Sequence, residues 1–421
     1  MIKIGDLNID KFYLGDKSDA KIYLGDVKVW PEEEAPETYP YAFQRVSRGG
    51  SAYTVDCNST SSNKISSGDT RIGLSKAEIS GSTSDKTPVS VVFGDCCQTI
   101  GDSACRGWTY LSSVTISDNV TSLYKYSFYD TPRVEHLKIG SGITYITNAF
   151  RYIGSSASTK PDLDLSANVG LKLDNGSFEY CYFNNMIFPN NCTLISGACK
   201  YCSASTLSFG SGTIISDVGQ YYSPVDICNI SNIDLNGVTK IGRCAFQRLS
   251  GCKSITIPPS VTDFGDYVFS GASGLNSVTI DYASNATFGG GQFAGLPITS
   301  LTIGSNPTRI PYSMFSGCTK LTSLAIPSNI SSIGSSAFYG CTGLTSLVIP
   351  SNISSIDNEA FSKCSGLTSI TVESTTPPTL GSNAFNNTND CPIYVPSGSV
   401  DAYKAASRWS SYASRIQAIP T

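Results

Sequence analysis

The strongest constraint on this chain is a phenylalanine that keeps returning. Phe246, Phe269, Phe293, Phe315, Phe338, Phe361 and Phe385 follow one another at steps of 23, 24, 22, 23, 23 and 24 residues. The last four frame three near-copies of one phrase: FSGCTKLTSLAIPSNISSIGSSA, FYGCTGLTSLVIPSNISSIDNEA and FSKCSGLTSITVESTTPPTLGSNA. In the first copy Leu321, Leu324 and Ile326 end at Pro327, and Ile330, Ile333 and Ala337 lead to Phe338. This reads as a strand, a turn, a second extended edge and a short return carrying the Phe. Such a unit cannot fold alone. Six or seven buried apolar side chains supply about 10 to 20 kcal/mol, and ordering costs about 1.5 kcal/mol per residue. Units must therefore stack and share a core.

The period persists upstream where the wording decays. Tyr222, Cys199, Phe178, Phe150, Phe128 and Cys105 hold the anchor position at steps of 24, 23, 21, 28, 22 and 23, counting down from Phe246. The long step accommodates a polar loop, RYIGSSASTKPDLDLSANVG. About thirteen units result, a mostly β solenoid over residues 86–387 and, at about 4.8 Å per strand, a rod roughly 60 Å long.

The phrase resembles the BspA-like class of leucine-rich repeats, whose units read much like F-x-x-C-x-x-L-x-x-I-x-I-P-x-x-V-x-x-I-G-x-x-A. The resemblance is close from about Lys240 to Phe385 and looser from about Ser90 to Gln220. It implies a leucine-rich-repeat-type solenoid. It also implies a surface or virion adhesin, or an interaction scaffold, of bacteria, protists or their viruses.

Composition narrows the partners. A net charge of −4 leaves no basic stripe to neutralise phosphates, so nucleic acid is not an expected ligand. No apolar run approaches the roughly 18 to 20 residues of a membrane-spanning helix. MIKIGDLNID lacks an apolar core between a basic start and a cleavage site, so it does not read as a secretory signal.

Cys181, Cys202, Cys318, Cys341 and Cys364 each fall three residues after an anchor, and Cys252 falls six after Phe246, as a three-residue insertion would place it. Stacking lines them up as parallel side chains, which suits small buried thiols better than disulfides. Cys199-x-x-Cys202 has no second pair at zinc spacing, and Cys96-Cys97 is equally unsupported. Reduced thiols, no metal and no cofactor are expected.

Both ends break the pattern. Ile4-Gly5-Asp6, Leu14-Gly15-Asp16 and Leu24-Gly25-Asp26 recur every ten residues, so residues 1–31 read as a small β-element with Gly-Asp turns. This segment resembles N-terminal segments of virion proteins from tailed phages of gut Bacteroides-type bacteria. Phe12, Tyr13, Ile22, Tyr23 and Trp30 are the attachment residues that this reading implies. PEEEAPETYP, residues 31–40, is acidic and proline-rich, so 32–40 reads as a linker, and 41–85 is a β-rich region shielding the first unit. Residues 388–421 turn helical, and Val400, Tyr403, Trp409, Tyr412 and Ile416 are placed to cover the last unit.

Chemistry is sparse. His136 is the only histidine, which rules out a two-histidine relay or a multi-histidine metal site within one chain. No nucleophile elbow or phosphate loop is present, and GGGQFAG near residue 290 reads as a repeat turn. A non-enzymatic role follows, with a polysaccharide-degrading tail enzyme as the alternative if a carboxylate pair lines a cleft. Tyrosine is the better lead. Tyr110, Tyr124, Tyr126, Tyr129, Tyr145, Tyr152, Tyr180, Tyr182, Tyr201, Tyr221 and Tyr222 crowd the irregular half, and the first five mark the expected ligand-binding face. The expectation is a virion fibre, appendage or decoration protein, assembled in the host cytoplasm. It would meet other virion proteins through its N-terminus and a host-surface glycan or protein through the solenoid, as a monomer or homo-oligomer. A bacterial cell-surface adhesin is the alternative.

Overall fold

A computed structural model describes residues 90–93, 99–216 and 223–420, and before them the backbone of short strands alone. Each unit forms one coil with three sides. On the first, strands such as Ser254–Ile257 and Ser346–Ile349 bury Ile255, Ile257, Leu347 and Ile349 and expose their neighbours. This alternation is what a pleated sheet with one wet face requires. Successive strands pair in parallel one unit apart, Ser254 opposite Ser277 and Ser277 opposite Ser300. On the second side lie short strands, two residues long in most coils, as in Ser332–Ile333 and Ser355–Ile356. They form sheets of three, seven and four strands, one strand per turn, so the fold is a mostly β parallel solenoid of about fourteen turns.

The third side is the turn carrying the anchor. Phe246, Phe269, Phe293, Phe315, Phe338, Phe361 and Phe385 stack along the axis, with ring centroids 5.1 to 5.9 Å apart and planes within 13°. Each ring is fully buried, so a side chain of this volume in every coil fills the interior without voids. The backbone follows the same axis: Phe315 N–H donates to the Ala337 carbonyl (2.9 Å) and Phe338 N–H to that of Ala360 (2.8 Å).

Two details differ from the sequence-based expectation. The anchor between Cys199 and Phe246 is Val225, whose N–H donates to the Ala245 carbonyl at 3.0 Å; Tyr222 lies outside the described residues. The coil after Phe246 holds no insertion. Leu249 occupies the position that Cys318 holds after Phe315, and Cys252 occupies that of Leu321, all four buried.

The cysteines do more than fill space. Cys318, Cys341 and Cys364 donate their thiols to the carbonyls of Phe293, Phe315 and Phe338, at 3.3, 3.2 and 3.1 Å. Cys202 does the same to Phe178 at 2.7 Å, and Cys228 to Cys199 at 2.8 Å. A thiol is thus small enough for the core and still satisfies the anchor carbonyl of the preceding coil. Asn329 plays a similar part at the opposite corner, donating its amide to the carbonyls of Gly304 and Pro307.

At the N-terminal end, Ala42–Arg48 pairs antiparallel with both Ser51–Cys57 and Val89–Phe93, so a hairpin closes the first sheet. At the other end the short helical turn Trp409–Tyr412 lays Trp409 and Tyr412 over Phe385, Tyr403 of the helix Val400–Ala405 packs on Trp409, and Ile416–Ala418 adds a last parallel strand to Ile393–Val395. Val400 is half-buried against the same core and Ile416 is buried. Phe12, Tyr13, Ile22 and Trp30, and the side chain of Tyr23, lie outside the described residues.

Candidate functional site

Two residues beyond each anchor, the turn needs a left-handed residue. Its N–H must point along the axis, as Gly317 N–H does toward the Tyr339 carbonyl at 2.7 Å. Four regular coils meet this demand with Gly271, Gly295, Gly317 and Gly340, at φ between 69° and 74°, and two others with Arg248 and Lys363, at 57° and 61°. In the irregular half the same position holds Tyr152, Tyr180 and Tyr201, at φ 63°, 57° and 58°. Their N–H groups make the same bonds, to Glu179, Lys200 and Asp226. A bulky side chain there costs about 1 to 2 kcal/mol relative to glycine. Asp130, Ile227, Arg248 and Lys363 carry the same left-handed backbone in other coils, so what sets Tyr152, Tyr180 and Tyr201 apart is their side chains.

The three phenols form a ladder. Tyr152 and Tyr180 stack with centroids 4.8 Å apart and planes 10° apart, and Tyr180 and Tyr201 at 4.4 Å and 9°. Tyr129 meets Tyr152 edge to face at 5.6 Å, and Tyr126, itself left-handed at φ 59°, meets Tyr129 at 5.5 Å. At about 4.8 Å per coil the strip runs roughly 15 Å. Guanidinium groups line it: Arg106 lies over Tyr126 and Tyr129, and Arg151 lies over Tyr129, Tyr152 and Tyr180 and pairs with Glu179 at 3.1 Å. Burial between its neighbours, followed by the adjacent phenols, raises the Tyr180 hydroxyl above its ordinary value. The Tyr180 hydroxyl is therefore neutral and a donor at physiological pH. Because the stacked rings cover one another, it offers ring edges and hydroxyls to solvent.

Of the five tyrosines chosen from sequence, Tyr126 and Tyr129 belong to this strip. Tyr110 lies apart, with Arg133 4.4 Å over its ring. Tyr124 follows the short strand Ser122–Leu123 and Tyr145 opens the strand Tyr145–Ile146, 48% and 43% exposed, and the Tyr145 hydroxyl donates to Asp174 at 3.0 Å. Tyr152, Tyr180 and Tyr201 stood in the wider tyrosine count without being singled out; their shared distance from the anchor was the available signal. Tyr221, like Tyr222, lies outside the described residues.

Among the described residues no group of three His, Cys, Asp or Glu side chains could hold a metal ion. His136 is exposed on the strand His136–Lys138. A cleft opens where pairing stops between Asn229–Asp234 and Ser254–Ile257, lined by Asn232, Ile233, Asp234, Leu235, Asn236, Ser254 and Thr256. It holds one carboxylate, half of what glycoside hydrolysis uses.

A family model described as BspA type leucine-rich repeat region, with six copies, matches residues 84–165, 171–295 and 286–405. No curated protein matches the chain. Among solved structures, a leucine-rich repeat protein from Bacteroides ovatus is 18% identical with a TM-score of 0.48, covering 79% of this chain and 84% of that one. A leucine-rich cell surface protein from Faecalibacterium prausnitzii is 19% identical with a TM-score of 0.30, covering 67% and 78%. The pneumococcal vaccine antigen PcpA is 14% identical with a TM-score of 0.29, covering 74% and 79%.

Proposed function

Since the chain belongs to the BspA-type leucine-rich-repeat family, we propose that it is a non-enzymatic recognition protein whose tyrosine ladder contacts a protein on a target surface. The observation that carries this reading is the stacking of Tyr152, Tyr180 and Tyr201 from the left-handed position of three successive coils. Folding alone favours glycine there. Tyrosine supplies large, rigid contact area with a polar tip, and arginine beside it adds charge-assisted bonds, the pairing enriched at protein interfaces. Stacked rings leave no open face for a sugar, so the ladder suits a polypeptide that meets edges and hydroxyls.

In this proposal the protein is a virion component, displayed through residues 1–31, whose ten-residue Gly-Asp period is foreign to the solenoid. A cell-surface adhesin is the second reading, supported by the BspA-type repeat itself. Antibody labelling of purified particles and of cell envelopes separates the two. Binding of the labelled full-length chain to intact and protease-treated cells tests the ladder. Binding to intact cells should be lost on protease treatment and in the triple variant Tyr152→Ser, Tyr180→Ser, Tyr201→Ser. Equal binding by that variant overturns the assignment.

A further inference from the structure

A second aromatic site lies six coils further along. The coil FGGGQF, residues 288–293, presents bare backbone at Gly289, Gly290 and Gly291. Tyr267 from the coil before and Tyr312 from the coil after lean over it. A Cβ at Gly290 would sit 2.2 Å from Tyr312 Cε2, and one at Gly291 2.8 Å from Tyr267 Cε1, so only glycine leaves room for both rings. Tyr267 holds the left-handed position two residues before its anchor, as Ser313 and Ser336 do in later coils, with φ 50°. Although packed against backbone, the two side chains remain 48% and 47% exposed.

Between them stands Asp266. Its Oδ1 accepts the Gly290 N–H at 2.6 Å and the Tyr312 hydroxyl at 3.4 Å, so the carboxylate is held in place. Among the described residues no bond reaches its Oδ2. The glycine floor is braced from below. Gln292, fully buried where the regular coils carry Ala337 and Ala360, donates its amide to the carbonyls of Phe264, Gly265 and Gly289 at 3.4, 3.2 and 3.0 Å. Three glycines in a row would otherwise be the loosest backbone of the array.

We propose that Tyr267, Asp266 and Tyr312 form a binding site for a single neutral pyranose ring of a glycan. A pyranose has an apolar C–H face and a rim of hydroxyls. The exposed aromatic surface suits the first, and the unengaged carboxylate oxygen accepts from the second. The half-buried Asp266 carboxylate repels an acidic sugar ring set beside it, which restricts the site to neutral rings. The pre-bonded Asp266 and the braced floor reduce the ordering cost of binding. This site is separate from the tyrosine ladder and does not depend on what the ladder contacts.

The test is a glycan array printed with neutral and with sialylated or uronic oligosaccharides, probed with the full-length chain and followed by titration of the best neutral binder. Neutral glycans should bind and acidic ones should not. Asp266→Ala and Tyr312→Ala should each weaken binding at least tenfold while circular dichroism still shows the folded solenoid. Tyr312→Phe, which keeps the ring, should retain most of it, and the ladder variant should bind as the parent does. Absence of neutral-glycan binding, or full binding by Asp266→Ala and Tyr312→Ala, overturns the proposal.

Discussion

The amide of Phe385 donates to the hydroxyl of Tyr412 at 3.2 Å. In the coils before it the same amide donates to a backbone carbonyl of the next coil, as Phe361 does to Ala384. A side chain therefore stands in for the turn that would have come next, and Tyr412 passes its own proton on to Asn386 Oδ1 at 2.9 Å. Replacing Tyr412 by Phe keeps the ring and orphans a buried donor, at a cost of about 1 to 3 kcal/mol. Urea denaturation should show the loss, and amide exchange at Phe385 should accelerate. A midpoint equal to that of the parent would contradict the role given to the hydroxyl.

Cys341 donates to the Phe315 carbonyl at 3.2 Å while filling a fully buried position. Cys341→Ala removes both volume and donor and should destabilise by roughly 1 to 2 kcal/mol. Cys341→Ser restores the donor and should recover part of that loss, measured as the denaturation midpoint. If Ala and Ser variants are equally stable, the thiol serves as filler alone.

Burial pushes the thiols of Cys181, Cys192 and Cys341 up from 9.0 to about 12. The folded chain keeps protons there that the unfolded chain releases. Their contribution to stability is full below about pH 9 and is lost as the pH climbs toward 12. The urea midpoint should accordingly fall as the pH rises from about 9 toward 12. In the same range the native protein should resist thiol alkylation that proceeds readily once it is unfolded. Rapid native labelling of these three cysteines would count against their burial.

At position 180 the usual ranking of small residues inverts. Tyr180→Ala loses both stacking partners and keeps the left-handed backbone, whereas Tyr180→Gly loses the same partners and relieves the strain. The glycine variant should be the more stable of the two by about 1 kcal/mol. Thermal melts of the pair decide it, and an alanine variant as stable as the glycine one would remove the strain argument.

Phe338 lies between Phe315 and Phe361 at 5.6 and 5.4 Å. Phe338→Ala opens a cavity in the middle of the spine and should cost about 3 to 5 kcal/mol. In an array held by nearest neighbours, the loss should also split the single unfolding transition into two. One cooperative transition at an unchanged midpoint would be the opposing result.

The solenoid was legible because its core is written in apolar residues at a fixed step, and stacking preserves that step in space. Phe315, Phe338 and Phe361 read the same way in both. Val225 was missed because a neighbouring tyrosine lay nearer the expected spacing and a β-branched anchor carries no aromatic mark. The Cys252 position was misread for a related reason: Leu249 and Cys252 exchange the identities that Cys318 and Leu321 hold in a regular coil. The ladder was half visible. Density of tyrosine pointed to Tyr126 and Tyr129, but the property that unites Tyr152, Tyr180 and Tyr201 is a backbone angle, legible only by comparing them with Gly317 and Gly340. Tyr267 and Tyr312 were not visible as a pair, because two turns of the chain separate them and only stacking brings them over one triglycine coil.

The left-handed position beyond each anchor closes its coil through a backbone N–H, and its side chain takes no part in that closure. Glycine and tyrosine already occupy it in different turns of one molecule, with the same bond to the next coil in each. The scaffold thus carries a row of interchangeable sockets facing outward along one side, each of which accepts a new side chain for about 1 to 2 kcal/mol of backbone strain. Recognition can be rewritten there coil by coil while the spine beneath stays as it is, which makes this side the natural place to graft a new specificity.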